Sequence, residues 1–218
     1  MRGNQKNKNY IIKWTPKFAY AIGLLTTDGN LANDGRHFIF VSKDKQLIEV
    51  FKKCLNLDSK ICKKKGGFNN KKRYYRIQFS NTLLYKYLLS IGLGPNKSKN
   101  IGLLKIPNKY FFDFLRGHFD GDGSCYSFWD KRWINSFMFY TSFTSGSLKH
   151  IEWLQKKINK LINIKGSIHK GINAWKLEYA KKDSQVLWKK IYYKNNVPCL
   201  LRKFEKIKKI LKVQAQMA

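Results

Sequence analysis

The sequence predicts an α+β protein built from two pseudosymmetric αββαββα repeats, with a central helix from each repeat paired against the other. Three observations predict it: a duplicated glycine–aspartate segment, a matching succession of elements after each copy, and strands that alternate apolar with polar residues. The duplication is the sharpest. Residues 21–29 (AIGLLTTDG) and 115–123 (LRGHFDGDG) each carry a glycine on an apolar helical stretch, an aspartate five residues on, and a glycine stop. Gly23 and Gly117 are 94 residues apart, and so are Asp28 and Asp122.

The first motif helix is well punctuated. Thr15 can cap it, Pro16 suits its first position, and Gly29 supplies a left-handed stop. The second begins near Pro107 and Asn108 and stops at Gly123. Gly23 and Gly117 lie mid-helix, where glycine costs about 1 kcal/mol against alanine. That cost is repaid where another backbone must come close. Ala19, Gly23 and Thr27 form one narrow stripe and Gly117 with Gly121 its counterpart, so stripe-to-stripe packing sets Asp28 beside Asp122.

The elements that follow repeat as well. A strand over 36–42 leads to an amphipathic helix over 44–55, and a strand over 132–144 leads to a helix over 147–161. Hairpins come next, 59–65 with 73–80 and 166–170 with 174–180, then closing helices near 82–89 and 184–192. The division predicted is a basic arm over 1–14, a first repeat over 15–93, a linker over 94–107, and a second repeat over 108–218.

Alternation separates two faces of each sheet. Over 132–144 one face holds Arg132, Ser136, Met138, Tyr140, Ser142 and Thr144, and the other Trp133, Phe137, Phe139 and Phe143, expected under the motif helices. Arg76 and Gln78 alternate with Tyr75, Ile77 and Phe79; Lys176 and Glu178 alternate with Trp175, Leu177 and Tyr179. Such polar side chains read base edges, and a β-ribbon is narrow enough to enter the major groove. The DNA-facing set predicted is Arg36, Arg76, Gln78, Arg132, Ser136, Tyr140, Ser142, Thr144, His169 and Lys176.

Charge points the same way. The 218 residues hold 44 Lys+Arg against 13 Asp+Glu, a formal net charge of +31, while 43% hydrophobic content still specifies a folded core. Self-repulsion of that size is relieved by a polyanion, so nucleic acid is the expected partner. A lysine-rich composition bias accounts for some of the charge but not for the shortage of acids. No apolar run reaches the roughly 20 residues that span a bilayer, so no membrane role is expected. The basic start of the chain lacks the apolar stretch of a secretory signal. Cys54, Cys62, Cys125 and Cys199 have neither CxxC nor zinc spacing and read as free thiols of an intracellular protein.

A carboxylate at a helix C-terminus meets the negative end of the macrodipole, and two in contact repel further. A hard divalent cation relieves both penalties. Mg²⁺ takes one or two carboxylates together with water and phosphate oxygens, and a site of that kind cleaves phosphodiesters.

These residues, most specifically 114–123 (FLRGHFDGDG), resemble the signature of the LAGLIDADG homing endonucleases in their single-chain, two-motif form. The resemblance covers nearly the whole chain. It implies a monomer acting as a pseudo-dimer, whose antiparallel β-saddle straddles a long asymmetric site on double-stranded DNA. It implies cleavage of both strands with Mg²⁺, with Mn²⁺ able to substitute and Ca²⁺ able to bind without cleavage. The second Asp of each motif, Asp28 and Asp122, would hold metal, joined by the carbonyls of Thr27 and Gly121. Lys97, Lys203 and Lys43 would be the basic catalytic residues, Ser145 standing opposite Lys43. The first motif departs from the signature, with Thr26 and Thr27 in place of Asp and Ala. Asp120 is then expected to be a polar helix-end residue, and His118 to serve in packing or behind the ligands.

Two rivals share the scaffold: an intron RNA-binding maturase, with host intron RNA as partner, and a non-cleaving DNA-binding regulator. Survival of both aspartates favours the nuclease. A free-standing, intron-encoded enzyme is expected, in a bacterial or archaeal cytoplasm or an organelle.

Overall fold

Two helices, one from each half, run side by side through the centre of the protein. The computed structural model describes residues 12–66, 72–133 and 136–217. Helix α1 (Pro16–Thr27) begins where the Thr15 side chain accepts a hydrogen bond from Phe18 N at 3.0 Å, with Pro16 in the first turn. All its residues from Phe18 to Thr26 are buried, so it is a core helix on every side.

The chain continues through β1 (Gly29–Leu31), β2 (His37–Ser42), α2 (Lys45–Cys54), β3 (Cys62–Gly66), β4 (Lys72–Ser80) and α3 (Thr82–Ser90). A short helix α4 (Lys97–Asn100) lies within the expected linker. After a 3-10 turn (Asn108–Tyr110), α5 (Phe111–Asp122) opens the second half. It is followed by β5 (Ser124–Trp129), β6 (Phe137–Ser145), α6 (Leu148–Ile162), β7 (Ser167–Lys170), β8 (Trp175–Tyr179), α7 (Lys181–Ile191) and α8 (Leu201–Ala215).

The two four-stranded antiparallel sheets have the same order, β1-β2-β4-β3 and β5-β6-β8-β7. Register makes the halves comparable residue by residue. Asn30 pairs with Ile39 and Ile39 with Gln78; Ser124 pairs with Ser142 and Ser142 with Glu178. Gln78 therefore corresponds to Glu178, and Arg76 to Lys176. The inner faces bury Phe38, Phe40, Ile77 and Phe79 in one half and Phe137, Phe139, Phe143 and Leu177 in the other.

The helix pair is held at backbone distance by its glycines. A Cβ added at Gly23 would lie 2.1 Å from the Phe114 carbonyl oxygen, and one at Gly117 would lie 2.0 Å from that of Tyr20. Any side chain at either position forces the two helices apart.

Several sequence expectations are corrected. Gly29 does not stop its helix by a left-handed turn, for its φ is not positive; Gly123, where the second helix stops as expected, is extended. Each is glycine because the chain folds back over the last helical turn, where a Cβ would lie 2.7 Å from Leu25 Cα or 2.5 Å from Phe119 Cδ2. Trp133 is 69% exposed rather than under the motif helices, because Asp130 accepts from Trp133 N and closes a turn before β6 begins. Helices α4 and α8 and the strands β1 and β5 lay outside the ranges read from the sequence. Most of the basic arm (1–11) and most of the basic hairpin loop (67–71) lie outside the described residues. All four cysteines are free, and among the described residues no helix is long and apolar enough to cross a membrane.

Candidate active site

The duplicated aspartates meet where the central helices end. Asp28 caps α1, its N–H donating to Leu24 O, and Asp122 is the last residue of α5. A Cβ at Gly121 would lie 1.9 Å from Thr27 Oγ1 and 3.3 Å from Asp28 Oδ2, so the Asp28 carboxylate reaches across to the opposite helix. Burial and then the Asp122 charge push the Asp28 carboxyl up to about 6. Burial also raises Asp122.

Two buried lysines oppose these shifts, and they do so crosswise. The Lys203 charge acts more strongly on Asp28, and that of Lys97 more strongly on Asp122. Lys97 Nζ, at the start of α4, donates to Thr27 O at 2.8 Å. Lys203 Nζ, from the first turn of α8, donates to the carbonyls of Phe119 (2.6 Å), Asp120 (2.9 Å), Gly121 (3.1 Å) and Gly123 (2.6 Å). Each lysine thus places positive charge where a helix C-terminus is negative. Burial lowers both, Lys203 to about 8. A cavity of about 110 Å³ beside Asp122 is lined by Lys97, Thr27, His118 and Ser145 among others.

The other acid of the second motif turns away from this centre. Asp120 is buried and accepts from Tyr20 Oη at 2.7 Å, Leu200 N at 2.7 Å and Tyr192 Oη at 3.4 Å. Leu200 is the residue preceding α8, so Asp120 anchors the helix that delivers Lys203. Arg116, fully buried, donates to Pro198 O, Ile191 O and Asp113 Oδ1, each at 2.7 Å, and fixes the same C-terminal segment. Sequence reasoning missed this role. Its signal was an arginine among the aromatic and aliphatic residues of a buried helix, with Asp113 three residues before it, where a charge must be paired. His118 stacks on His150 with ring centroids 5.3 Å apart, and burial holds it well below the usual histidine range, so it is neutral and packed.

The remaining predicted residues are dispersed. Lys43 is exposed, with its ammonium 5.8 Å from the Tyr74 ring centroid, and Lys97 and Lys203 supply the positive charge acting on the aspartates instead. On the outer sheet faces, Arg76 hydrogen-bonds Gln78, and Tyr140 and Thr144 are half-buried. His169 is exposed on β7, opposite Lys176. Arg36 precedes β2, exposed beside Asp34, and Ser136 precedes β6. Lys176 is ion-paired with Glu178. Two predicted readers are placed differently from the rest. Ser142 is only 1% exposed and shares a 2.8 Å hydrogen bond with Ser124 Oγ, so a neighbouring strand takes its hydroxyl. Arg132 lies off the sheet in the β5–β6 turn, its guanidinium held by both Asp130 oxygens at 3.0 and 2.8 Å.

Among the described residues no group of three or more His, Cys, Asp or Glu side chains could hold a metal. The donors at the helix ends are two carboxylates and the Thr27 and Gly121 carbonyls. All are hard oxygens, and the missing side chain at Gly121 lets Thr27 Oγ1 and the Asp28 carboxylate come up against its backbone. Each carbonyl bound to lysine retains a second lone pair. This donor set fits Mg²⁺ better than a nitrogen- or sulfur-seeking metal.

No protein family's sequence profile matches the chain, and no curated protein matches it. Solved structures do. The homing endonuclease I-WcaI bound to its DNA recognition sequence is similar at TM-score 0.62 and 18% identity, over 89% of this chain and 88% of that one. The LAGLIDADG meganuclease I-AabMI bound to uncleaved DNA is similar at TM-score 0.62 and 16% identity, over 94% of this chain and 91% of that one. Full-length DUF199/WhiA from Thermatoga maritima is similar at TM-score 0.59 and 18% identity; the match covers 94% of this chain but 63% of the WhiA chain. With its two matching sheets and its glycine-packed central helices, the chain has the LAGLIDADG homing endonuclease fold, both pseudosymmetric halves in one polypeptide.

Proposed function

We propose that the protein is a site-specific double-strand DNA endonuclease of the homing type, acting as a monomer whose two halves take the place of two subunits. The observation that carries this reading is the meeting of Asp28 and Asp122 at the ends of the paired helices, flanked by two buried lysines. A purely structural helix end has no use for two facing acids, one of them pushed up to about 6. Mg²⁺, or Mn²⁺ in its place, would be held by both carboxylates with the Thr27 and Gly121 carbonyls. Once bound, such an ion polarises the phosphate and lowers the pKa of a coordinated water.

The chain's own residues supply the rest. Lys203 spreads three N–H donors over four carbonyls, so it acts as a fixed positive charge beside Asp28. Lys97 makes one such bond among the described residues and keeps donors for a phosphate oxygen. A net charge of +31 and likeness to two DNA-bound endonucleases support duplex DNA as the ligand.

A second reading is a DNA-binding protein that does not cleave. It is favoured by the two ammoniums seated on the Thr27 and Gly121 carbonyls, where metal would otherwise gain ligands. The fold, common to homing endonucleases and WhiA, leaves both readings open.

Selection from a randomised duplex library in Mg²⁺ separates them. The expected result is cleavage of both strands at one long asymmetric sequence. Asp28→Asn and Asp122→Asn should each slow cleavage at least ~10³-fold, equivalent to several kcal/mol of transition-state stabilisation, with binding nearly unchanged. A selected sequence that wild type binds but never cuts, in Mg²⁺ or Mn²⁺, selects the second reading. Failure to enrich any sequence overturns both.

A further inference from the structure

The outer faces of the two sheets carry different chemistry. In the first half, Arg76 and Gln78 stand side by side, a donor–acceptor pair suited to base edges. Their counterparts, Lys176 and Glu178, neutralise one another by an ion pair. Glu178 also accepts from Tyr126 Oη at 3.0 Å, and the Lys176 ammonium lies 5.1 Å from the Tyr126 ring centroid. In a chain of net charge +31, this stretch of sheet is locally neutral.

It is also longer and apolar. The β1–β2 pairing has three residue pairs, whereas β5–β6 has six, from Ser124–Ser142 to Trp129–Phe137. The extension carries Tyr126, Phe128 and Tyr140 on the outer face. Tyr126 and Tyr140 stack at 5.3 Å and 15°, and Phe128 and Tyr140 at 6.1 Å and 4°. Tyr126 is 36% and Phe128 42% exposed, an apolar ridge that water disfavours.

We propose that this ridge reads its half of the DNA site through apolar contact with thymine methyl groups, while the first half reads hydrogen-bonding base edges. The inference rests on duplex DNA being the ligand. In the major groove the only apolar feature of a base pair is the thymine C5-methyl, and aromatic side chains contact it. Mutual stacking of the three rings occupies the faces that an unpaired base would need, which argues against a single-stranded ligand. Strand rise and base-pair rise are both about 3.4 Å, so Tyr126 and Phe128, leaving from Asp122, fall about 4–6 base pairs from the centre of the site.

The test uses the full-length protein and its selected site. Every thymine facing β5–β6 is replaced by deoxyuridine, which removes only the methyl group, and the same replacement is made separately in the other half-site. Binding should weaken about fourfold per methyl lost on the β5–β6 side, the free energy of burying one apolar carbon, and less than about twofold on the other. Phe128→Ser and Tyr126→Ser should each bind the thymine site more weakly and respond less to uracil. Equal responses in the two half-sites overturn the proposal, as does preferential ridge-dependent binding of single-stranded DNA. If no sequence is bound specifically at all, the fault lies with the duplex-DNA reading instead.

Discussion

At the end of α5, four backbone carbonyls share the Lys203 ammonium, and behind them Asp120 grips α1, α8 and Tyr192 together. At the matching end of α1, among the described residues, only the Thr27 carbonyl meets Lys97. Thr26, standing where the second half has Asp120, turns its hydroxyl back onto Ile22 O of its own helix. The first lysine arrives on a four-residue helix and the second on a fifteen-residue one. Duplication preserved the helix pair and both facing acids, but the polar framework behind them grew in one half alone. Backbone geometry must be shared for two helices to pack glycine to glycine. The anchoring of each lysine faces no such constraint and was free to diverge.

Removing the framework where it exists should produce the largest effect on stability. Asp120→Ala strips the buried Tyr20 hydroxyl and Leu200 N–H of their acceptor, at a cost of about 3 kcal/mol. For a chain of this size that lowers Tm by roughly 6–12 °C. Thr26→Val gives up only a hydroxyl on its own helix and should cost under about 1 kcal/mol. Thermal unfolding of both variants checks this, and similar losses would mean that the halves are equally anchored. Next come the lysines. Lys203→Met leaves four carbonyls without their cation and Lys97→Met leaves one, so the first should cost about 2–3 kcal/mol and the second about 1. Urea midpoints of the two variants that coincide would erase the asymmetry.

The helix seam was legible because its cause is local: a glycine at one offset in two apolar helices has few uses besides close approach. Asp28 and Asp122 followed from the same geometry. The role of Asp120 was not legible, since its partners lie 72 to 100 residues away and no spacing reports them. Alternation put Tyr140, Ser142 and Thr144 on one face but carried no information on which of them a neighbouring strand would cover. Arg132 was misplaced for a related reason. A residue can continue a period-two pattern through a turn, and only the Asp130 contact reveals where the strand starts. Gly29 was right as punctuation but wrong in mechanism, because steric overlap with a preceding helical turn and a left-handed turn demand the same residue.

The smallest effect probes what the halves still share. The Asp28 carboxyl titrates at about 6 when folded, against 3.8 ordinarily. Below about pH 4 it is protonated whether folded or unfolded, and its charge costs nothing. Between 4 and 6 the unfolded chain releases the proton first, so stability falls as pH rises, and above 6 the full cost persists. Asp28→Asn carries no such cost. In metal-free buffer it should therefore be more stable than wild type at pH 7.5, by about 1–2 kcal/mol once partial exposure is discounted, with the advantage fading towards pH 4. Asp122→Asn should move in the same direction, since burial raises its carboxyl and its charge adds to the Asp28 shift. Millimolar Mg²⁺ should then raise the Tm of wild type and leave both variants nearly unmoved. A variant that gains nothing at pH 7.5 would mean that the lysines already satisfy its acid. The two helix ends would then differ in their acids as well as in their anchors.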